Sequence, residues 1–241
     1  MLTKNSAATL KSTLDSAQVF PEVLILDTGS TDETLLIAKQ YPNVRLCEVP
    51  FIGFGPLRNE AARLATHDWL LALDSDEILS PPLLDEIASL QLDPTQVYQF
   101  PRHNFYNGKR IKGCGWDPES VARLYHRRTT CFSDSQVHES LLTDTLSIIP
   151  LKHPLLHTPY RSTSDFLAKM QHYSTLFAEQ NQHKKKSSFS KAFSHGFFAF
   201  FRSYFLKRGC FCGKEGFIIS FYNGATAFYK YLKLSENQKK C

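Results

Sequence analysis

The first hundred residues alternate short apolar runs with helix-like segments, and this alternation constrains the fold more than any other feature of the sequence. Apolar runs cover residues 23–26, 44–49 and 69–73, and helix-like segments follow Ser30 and cover residues 56–65. Runs of this length bounded by turn residues are typical of buried strands. Strands that alternate with helices predict an α/β fold with a parallel sheet, because parallel neighbours need a crossover connection.

Acidic residues stand at the ends of these predicted strands. Right-handed crossovers place the carboxyl ends of the strands at one edge of the sheet, where open α/β sheets bind ligands. Asp27, the loop 51–55 and the acidic run 74–77 all fall at that edge, so acids that are distant in sequence are expected to be neighbours. Ser30 and Glu33 form a capping-box pattern that predicts a helix start.

The rest of the chain is less regular. Ser80 and two prolines precede a predicted helix over residues 83–90. The stretch from 97 to 158 is strand-like with frequent turn signals, which predicts mixed or antiparallel structure. An amphipathic helix is then predicted from the spacing of Phe166, Met170, Tyr173 and Phe177.

Charge is divided unevenly along the chain. Residues 1–100 carry a net charge of −8 and residues 101–241 one of +13. An acidic half suits a bound cation, and a basic half suits phosphate, nucleic acid or a membrane surface. The start of the chain lacks the apolar core of a signal peptide and no apolar run reaches spanning length, so we expect a cytoplasmic protein.

The Asp-Ser-Asp sequence at residues 74–76 is the strongest candidate for chemistry. On an extended backbone, Asp74 and Asp76 would project to the same side and could share a hard cation. Magnesium or manganese accepts one or two carboxylates and keeps positions for diphosphate oxygens. The alternative interpretation is an acidic loop before a helix.

Several motifs, taken together, resemble family 2 glycosyltransferases of the GT-A fold, particularly the branch that makes the inner core of bacterial lipopolysaccharide. In chain order they are Leu2-Thr3-Lys4-Asn5, Leu26-Asp27-Thr28-Gly29-Ser30-Thr31-Asp32-Glu33-Thr34, Gly53-Phe54-Gly55 with Arg58-Asn59, Leu73-Asp74-Ser75-Asp76-Glu77, Trp116-Asp117-Pro118, Val137-His138-Glu139 and His157. The resemblance implies an α/β, Rossmann-like mixed sheet flanked by helices over residues 1–160. A helical, aromatic-rich extension over residues 161–241 would follow.

The resemblance also implies roles for individual residues. Thr3 and Asp27 would lie against the nucleotide base, Arg58 near the nucleotide, Asp74 near the ribose and Asp76 on a magnesium or manganese ion. Two alternatives concern Asp27, which could cap the following helix, and Arg58, which could form a surface ion pair. Asp32 is expected to serve the helix start rather than the ligand.

Candidates for the acceptor side lie further along the chain. Glu139 is the candidate base, His138 could bind acceptor or metal, and Trp116 could bind the acceptor. His153 and His157 lack cysteine partners and are interpreted as structural.

The function implied by the resemblance is an inverting transfer of glucose from UDP-glucose to a heptose of a lipid-linked lipopolysaccharide core. The enzyme would work on the cytoplasmic face of the bacterial inner membrane. Two alternatives remain: a nucleotidyltransferase, for which the sequence lacks the expected glycine- and lysine-rich phosphate loop, and a non-catalytic, membrane-associated protein that binds sugar nucleotides. Nucleic-acid binding is not expected, because the chain has no recognition motif.

Two features of the chain complete the expectations. Residues 189–231 contain 15 aromatic side chains among 43 residues, which predicts basic amphipathic helices that lie flat on an anionic membrane, or else a helical core or dimer contact. The family has a complete apolar strand before its Thr-Lys-Asn motif, whereas this chain begins at Met1. The first central strand is therefore expected to be absent and the nucleotide site weakened.

Overall fold

The computed structural model describes residues 1–135 and 139–239. The chain forms two compact units. The first comprises residues 1–102 and 119–157, and the second comprises residues 103–118 and the chain from Thr158 onward.

The first unit begins with a three-stranded parallel sheet. Its strands are β1 (Leu2–Thr3), β2 (Val23–Asp27) and β3 (Val44–Glu48), in that order. All five residues of β2 are buried, as expected for a strand covered on both faces. The strands predicted over 23–26 and 44–49 are confirmed.

The described residues of this unit form four helices, which are α1 (Ala7–Ala17), α2 (Thr34–Ala38), α3 (Phe54–Leu64) and α4 (Pro81–Ala88). The last two confirm the helices predicted over 56–65 and 83–90.

The predicted capping box at α2 is wrong. The Ser30 hydroxyl donates to Asp27 instead, and Asp32 accepts a hydrogen bond at 3.0 Å from the amide of Thr34, the first residue of the helix. The second Asp32 oxygen accepts from the Ala7 amide at 3.1 Å, so this carboxylate serves the starts of two helices. The expected role of Asp32 at the helix start is thereby confirmed.

A second, mixed sheet follows. Its main path is β4-β8-β6-β10-β5, and β7 and β9 also pair with β6. The strands are β4 (Trp69–Leu71), β5 (Glu77–Leu79), β6 (Gln96–Tyr106), β7 (Lys109–Arg110), β8 (Ser120–His126), β9 (Ser147–Pro150) and β10 (Leu155–His157). In this sheet β6 pairs parallel with β9, whereas β4–β8, β6–β7, β6–β8 and β5–β10 are antiparallel pairs, so the mixed structure predicted for 97–158 is confirmed.

The prediction that residues 69–73 form the third strand of the parallel sheet is wrong. β4 pairs antiparallel with β8, and Trp69 lies opposite His126. Periodicity along the chain shows that residues 69–73 are apolar and extended, but it carries no information about the partner strand, whose paired residues are 53 to 57 positions further along the chain.

An apolar cavity of about 460 Å³ lies between β2 and β4. Val23 and Leu24 line one side and Leu70 lines the other, and α3 contributes Ala61 and Ala62. Met1 also lines this cavity, and its amine donates a hydrogen bond to the Leu24 carbonyl at 2.8 Å. The main chain of residues 1–3 therefore follows β2 only at its carboxyl half.

Burial also changes the pKa of the Met1 amine. Desolvation, followed by the charge of Arg58, lowers its pKa from 8.0 to about 5.

The second unit is mainly helical, as expected for a C-terminal extension. It contains α5 (Thr163–Asn181), α6 (Phe189–Phe201) and α7 (Gly213–Lys239), with a π-helical turn over Arg202–Leu206 and a 3₁₀ turn over Gly209–Cys212. α5 confirms the predicted amphipathic helix. Among the described residues, no helix combines the length and apolarity needed to cross a bilayer.

Candidate active site

Asp27 organises the loop that follows β2. One carboxylate oxygen accepts from the amides of Gly29 and Ser30 at 2.9 and 2.8 Å. The other accepts from the hydroxyls of Ser30 and Thr3 at 2.6 and 2.8 Å. Gly29 adopts a φ of 93°, a conformation that side chains rarely permit. Asp27 therefore fixes a sharp turn at the carboxyl edge of the parallel sheet.

These four bonds fill the acceptor capacity of the Asp27 carboxylate. Burial alone would raise the pKa of Asp27, but the hydrogen bonds from Ser30, Thr3 and Gly29 hold it below its ordinary value. Thr3 and Asp27 are both buried, at 3% and 0% exposure. Contact of either side chain with a nucleotide base stays a prediction, and Asp27 would have to exchange one of these partners for it.

Replacing Asp27 with asparagine is expected to lower the free energy of unfolding by about 1–3 kcal/mol, since charge-assisted bonds to four donors are weakened. Urea denaturation monitored by circular dichroism measures the change. The matched control is Glu33→Gln, which removes the same charge from an exposed side chain nearby. A similar loss in both variants would contradict the role of Asp27 in holding the loop.

The acidic run is a turn rather than an extended strand. β4 ends at Leu71, and the Glu77 amide donates to the Asp74 carbonyl at 3.1 Å. The expectation that an extended backbone projects Asp74 and Asp76 to the same side is therefore wrong. The two carboxylates contact different partners.

Asp74 and Glu77 belong to a network of buried ion pairs. Arg58 donates to Asp74 at 2.6 Å, and Arg123 donates to both Asp74 and Glu77, the latter at 2.8 Å. Arg58 also donates to Glu139 through Nε at 2.8 Å. Because the side chains of both arginines are at most 8% exposed, the alternative of a surface ion pair for Arg58 is wrong.

The network extends through Arg102, which contacts Glu77 at 3.0 Å and Glu119 at 2.5 Å. Burial raises the pKa of Asp74, but the charges of Arg123 and Arg58 outweigh this effect and hold the pKa well below its ordinary value. Burial would also lower the pKa of Arg123, yet Asp74 and Glu77 raise it. Both charges therefore persist in the interior.

Asp76 faces His157, a histidine that is interpreted from the sequence as structural. Its Oδ2 lies 3.4 Å from Nε2 of His157, and the two side chains are 31% and 12% exposed. The antiparallel pairing of β10 with β5 places His157 opposite Glu77, one residue from Asp76. A carboxylate and an imidazole thus meet at the edge of the acidic turn.

The remaining predicted site residues are Trp116, His138 and Glu139. Trp116 belongs to the second unit, where its ring stacks on Tyr160 with centroids 5.8 Å apart. His138 lies outside the described residues. Glu139 has a side chain that is 14% exposed, and Arg58 contacts its Oε1. The roles of these residues in acceptor binding or proton transfer stay predictions.

The donor set at Asp76 fits a divalent cation. Within the described residues, no cluster of three or more histidine, cysteine or acidic side chains could hold a metal ion. Magnesium and manganese sites in nucleotide-dependent enzymes commonly use one or two protein ligands and complete their coordination with phosphate oxygens and waters. One carboxylate and one imidazole supply that number of ligands, and the carboxylate is of the type that magnesium and manganese prefer.

Comparison with known proteins identifies the family. The model of the family described as "Glycosyl transferase family 2" matches residues 1–209. The chain belongs to glycosyl transferase family 2. This family is a class of enzymes, and the predicted resemblance of the chain to it is confirmed.

Two curated relatives of this family 2 member extend over nearly its full length. An uncharacterized glycosyltransferase of Rickettsia felis is 28% identical over 100% of this chain and 89% of its own length. The lipopolysaccharide core biosynthesis glycosyltransferase LpsC of Rhizobium meliloti is 26% identical over 95% of this chain and 88% of its own length.

A solved structure supports the fold. The mannosyltransferase PcManGT from Pyrobaculum calidifontis, in complex with GDP-mannose and Mn²⁺, superposes with a TM-score of 0.50 at 17% identity. The match covers 76% of this chain and 63% of that one. The predicted fold class, a GT-A mixed sheet flanked by helices with a helical C-terminal segment, is confirmed.

Proposed function

We propose that this family 2 glycosyltransferase transfers a sugar from a nucleotide diphosphate donor to a saccharide acceptor with inversion at the anomeric carbon. The observation that carries the proposal is the meeting of Asp76 and His157 beside the buried network around Asp74. Asp76 and His157 would form a pair of cation ligands, and the buried ion pairs around Asp74 would hold fixed charges beside them. Such an arrangement suits a leaving group with several negative charges.

Asp76 and His157 would hold the cation, magnesium or manganese. When bound, the cation supplies charge neutralisation for the departing diphosphate. We do not assign the cation to Asp74, because Arg58 and Arg123 already contact its two oxygens. Asp74 positions these arginines, and a hydrogen bond from the ribose to Asp74 would add to that arrangement.

The Asp27 turn and β1 would form the base-binding end of the donor site. Asn5 extends this rim. Its side-chain oxygen accepts a hydrogen bond from the Thr31 backbone amide at 2.8 Å, and its backbone amide donates to the Ser30 hydroxyl at 2.8 Å. The backbone amides of residues 28–31 donate to Thr3, Asp27 and Asn5, so the turn would offer a planar base a fixed surface. The side chains of Thr3 and Asp27 hold that backbone in place.

The donor we propose is UDP-glucose, and the acceptor is a heptose of a lipid-linked lipopolysaccharide core. Support comes from the resemblance of the motifs to the inner-core branch and from the relative LpsC, which is described as a core biosynthesis enzyme. The reaction would take place at the cytoplasmic face of the bacterial inner membrane.

Glu139 is the proposed general base. It would accept the proton of the acceptor hydroxyl while that oxygen forms a bond to the anomeric carbon and the nucleotide diphosphate departs. Arg58 holds Oε1 of Glu139, so the orientation of the carboxylate is fixed before substrate binds. A positioned base of this kind contributes about 10²–10⁴-fold to a rate.

Replacing Glu139 with glutamine is therefore expected to lower kcat for sugar transfer by about 10²–10⁴-fold while the affinity for the donor stays within about threefold. Glutamine keeps an oxygen for Arg58 but cannot take a proton. Glu119→Gln is the matched control, because it removes a charge from another arginine-paired glutamate in the same network. Transfer by Glu139→Gln at the rate of this control would exclude Glu139 as the base.

The proposed function is tested by a screen of sugar nucleotides for donor hydrolysis, with manganese, with magnesium and with a chelator. We expect cation-dependent release of UDP from UDP-glucose. Release of pyrophosphate from a nucleoside triphosphate and a sugar phosphate would indicate a nucleotidyltransferase instead. Calorimetric binding of UDP-glucose with no turnover in the presence of an acceptor would indicate a non-catalytic binding protein.

A further inference from the structure

Helix α6 exposes a row of phenylalanine rings. Phe189, Phe193, Phe197 and Phe201 recur every fourth residue, and each is 40–65% exposed. Residues four apart lie on the same side of a helix, so the rings form a continuous stripe. Phenylalanine side chains of this exposure are unusual in water when they occur in a contiguous row.

The stripe continues beyond the end of α6. Phe201 contacts Phe205 with ring centroids 5.0 Å apart, and Phe205 contacts Tyr204 at 5.0 Å. Tyr204 in turn contacts Phe217 of α7 at 5.9 Å. Phe205 is 51% exposed, and Phe217 is 49% exposed. We call the surface formed by Phe189, Phe193, Phe197, Phe201, Phe205 and Phe217 the aromatic face.

The side of α6 that adjoins this stripe packs closely against α7. A Cβ added at Gly196 would lie 2.8 Å from the Phe228 Cβ, and one added at Gly224 would lie 2.9 Å from the Phe200 Cβ. Backbones this close fix the rotation of α6 about its axis. The helix cannot turn its phenylalanines inward without losing this contact, so the aromatic face is a fixed feature of the second unit.

Cations flank the aromatic face. Arg202, Lys207 and Arg208 are exposed; Arg202 follows Phe201 in the chain, and Lys207 and Arg208 follow Phe205 and Leu206. Across residues 158–239 there are 13 Lys or Arg side chains and 4 Asp or Glu side chains. A second copy of the chain would bring like charges together, whereas an anionic surface complements them.

We propose that the aromatic face lies in the interface of an anionic lipid bilayer, with α6 parallel to the membrane plane. Phenylalanine rings would enter the boundary between headgroups and acyl chains, and Arg202, Lys207 and Arg208 would contact the phosphates. The proposal concerns a surface of the second unit and does not depend on which sugar is transferred. It assigns to this unit the task of holding the enzyme where lipid-linked acceptors are found.

The test is flotation with vesicles of phosphatidylcholine alone and of phosphatidylcholine mixed with phosphatidylglycerol. The full chain is expected to float with the anionic vesicles and to lose most of that binding at high salt, because charge attraction is screened. Replacing Phe193, Phe197 and Phe201 together with serine is expected to lower the bound fraction about tenfold or more, since three apolar anchors are removed.

Two controls make the test specific. Val19→Ser combined with Leu36→Ser removes two exposed apolar side chains of the first unit, which are 70% and 64% exposed, and should leave flotation unchanged. Circular dichroism and thermal melting verify that the triple serine variant is folded. A second triple variant, Arg202, Lys207 and Arg208 each to glutamine, should lose its preference for anionic vesicles.

Three results would overturn the proposal. The first is flotation of the triple serine variant equal to that of the unaltered chain. The second is the absence of flotation of the unaltered chain with anionic vesicles. The third is a concentration-dependent dimer, seen by analytical ultracentrifugation without lipid, that the triple serine variant abolishes, because the aromatic face would then be covered by a second copy.

Discussion

Replacing Asp76 with asparagine is expected to lower sugar transfer by about a thousand-fold or more, equivalent to about 4 kcal/mol of transition-state stabilisation. Asparagine has the shape of aspartate but lacks the charge that a divalent cation requires. His157 alone, a neutral ligand when it binds metal, would hold the cation weakly. The measurement is the initial rate of UDP release at increasing manganese concentration, in which the variant should need far more manganese or show no response.

Asp85→Asn is the matched control for this experiment. Asp85 is an exposed residue of α4, nine residues along the chain, and the substitution removes the same charge from the same acidic region. The control should retain the full rate and the manganese dependence of the unaltered enzyme. If Asp76→Asn also retained them, the assignment of the cation to this turn would be wrong.

Replacing Arg123 with methionine is expected to have the largest effect on stability, about 3–5 kcal/mol in the free energy of unfolding. Methionine fills much of the same volume but leaves Asp74 and Glu77 without one of their cations. Glu77 is fully buried, so its charge has no access to water. Urea denaturation at pH 7 measures the difference between the variant and the unaltered chain.

The effect of Arg123→Met should depend on pH in a defined direction. In the folded protein the pKa of Asp74 is lowered from its ordinary value of 3.8, so the ion pair contributes stability above that pH and loses it as the pH falls further. The difference in unfolding free energy should therefore be largest above about pH 4 and narrow in more acidic solution.

Arg128→Met provides the comparison. Arg128 also pairs with an aspartate, Asp68, at 2.8 Å, but its side chain is 72% exposed. Exposed pairs contribute about 0–1 kcal/mol. Equal destabilisation by the two substitutions would show that the buried network around Asp74 has no special role in stability.

Local patterns in the sequence predicted the elements well because those patterns reflect local physics. The apolar run in β2 and the proline-rich start of α4 are fixed by burial and by backbone geometry within a few residues. The partner of β4 could not be predicted in this way. Strand pairing depends on residues far along the chain, and an apolar run is compatible with several neighbours.

In the candidate site, too, the sequence predicted local features but not contacts between residues that are far apart in the chain. The sequence placed Asp27 and Asp76 at the edge of the sheet, because both follow strands. It did not predict that Asp74 would be held by Arg58 and Arg123, since Arg123 lies 49 residues away. His157 was also missed as a neighbour of Asp76. Its position depends on the pairing of β10 with β5, for which a histidine at a strand end was the only available signal.

The cavity between β2 and β4 leaves space inside the first unit that larger side chains would fill. Ala61 and Ala62 of α3 line this space, together with Leu24 and Leu70. A larger apolar residue in place of either alanine would add buried contacts, and filling a cavity in this way commonly raises the stability of a protein. The proposed cation ligands and the acidic turn would keep their residues in such a variant, so stability would be gained without a change in the proposed chemistry.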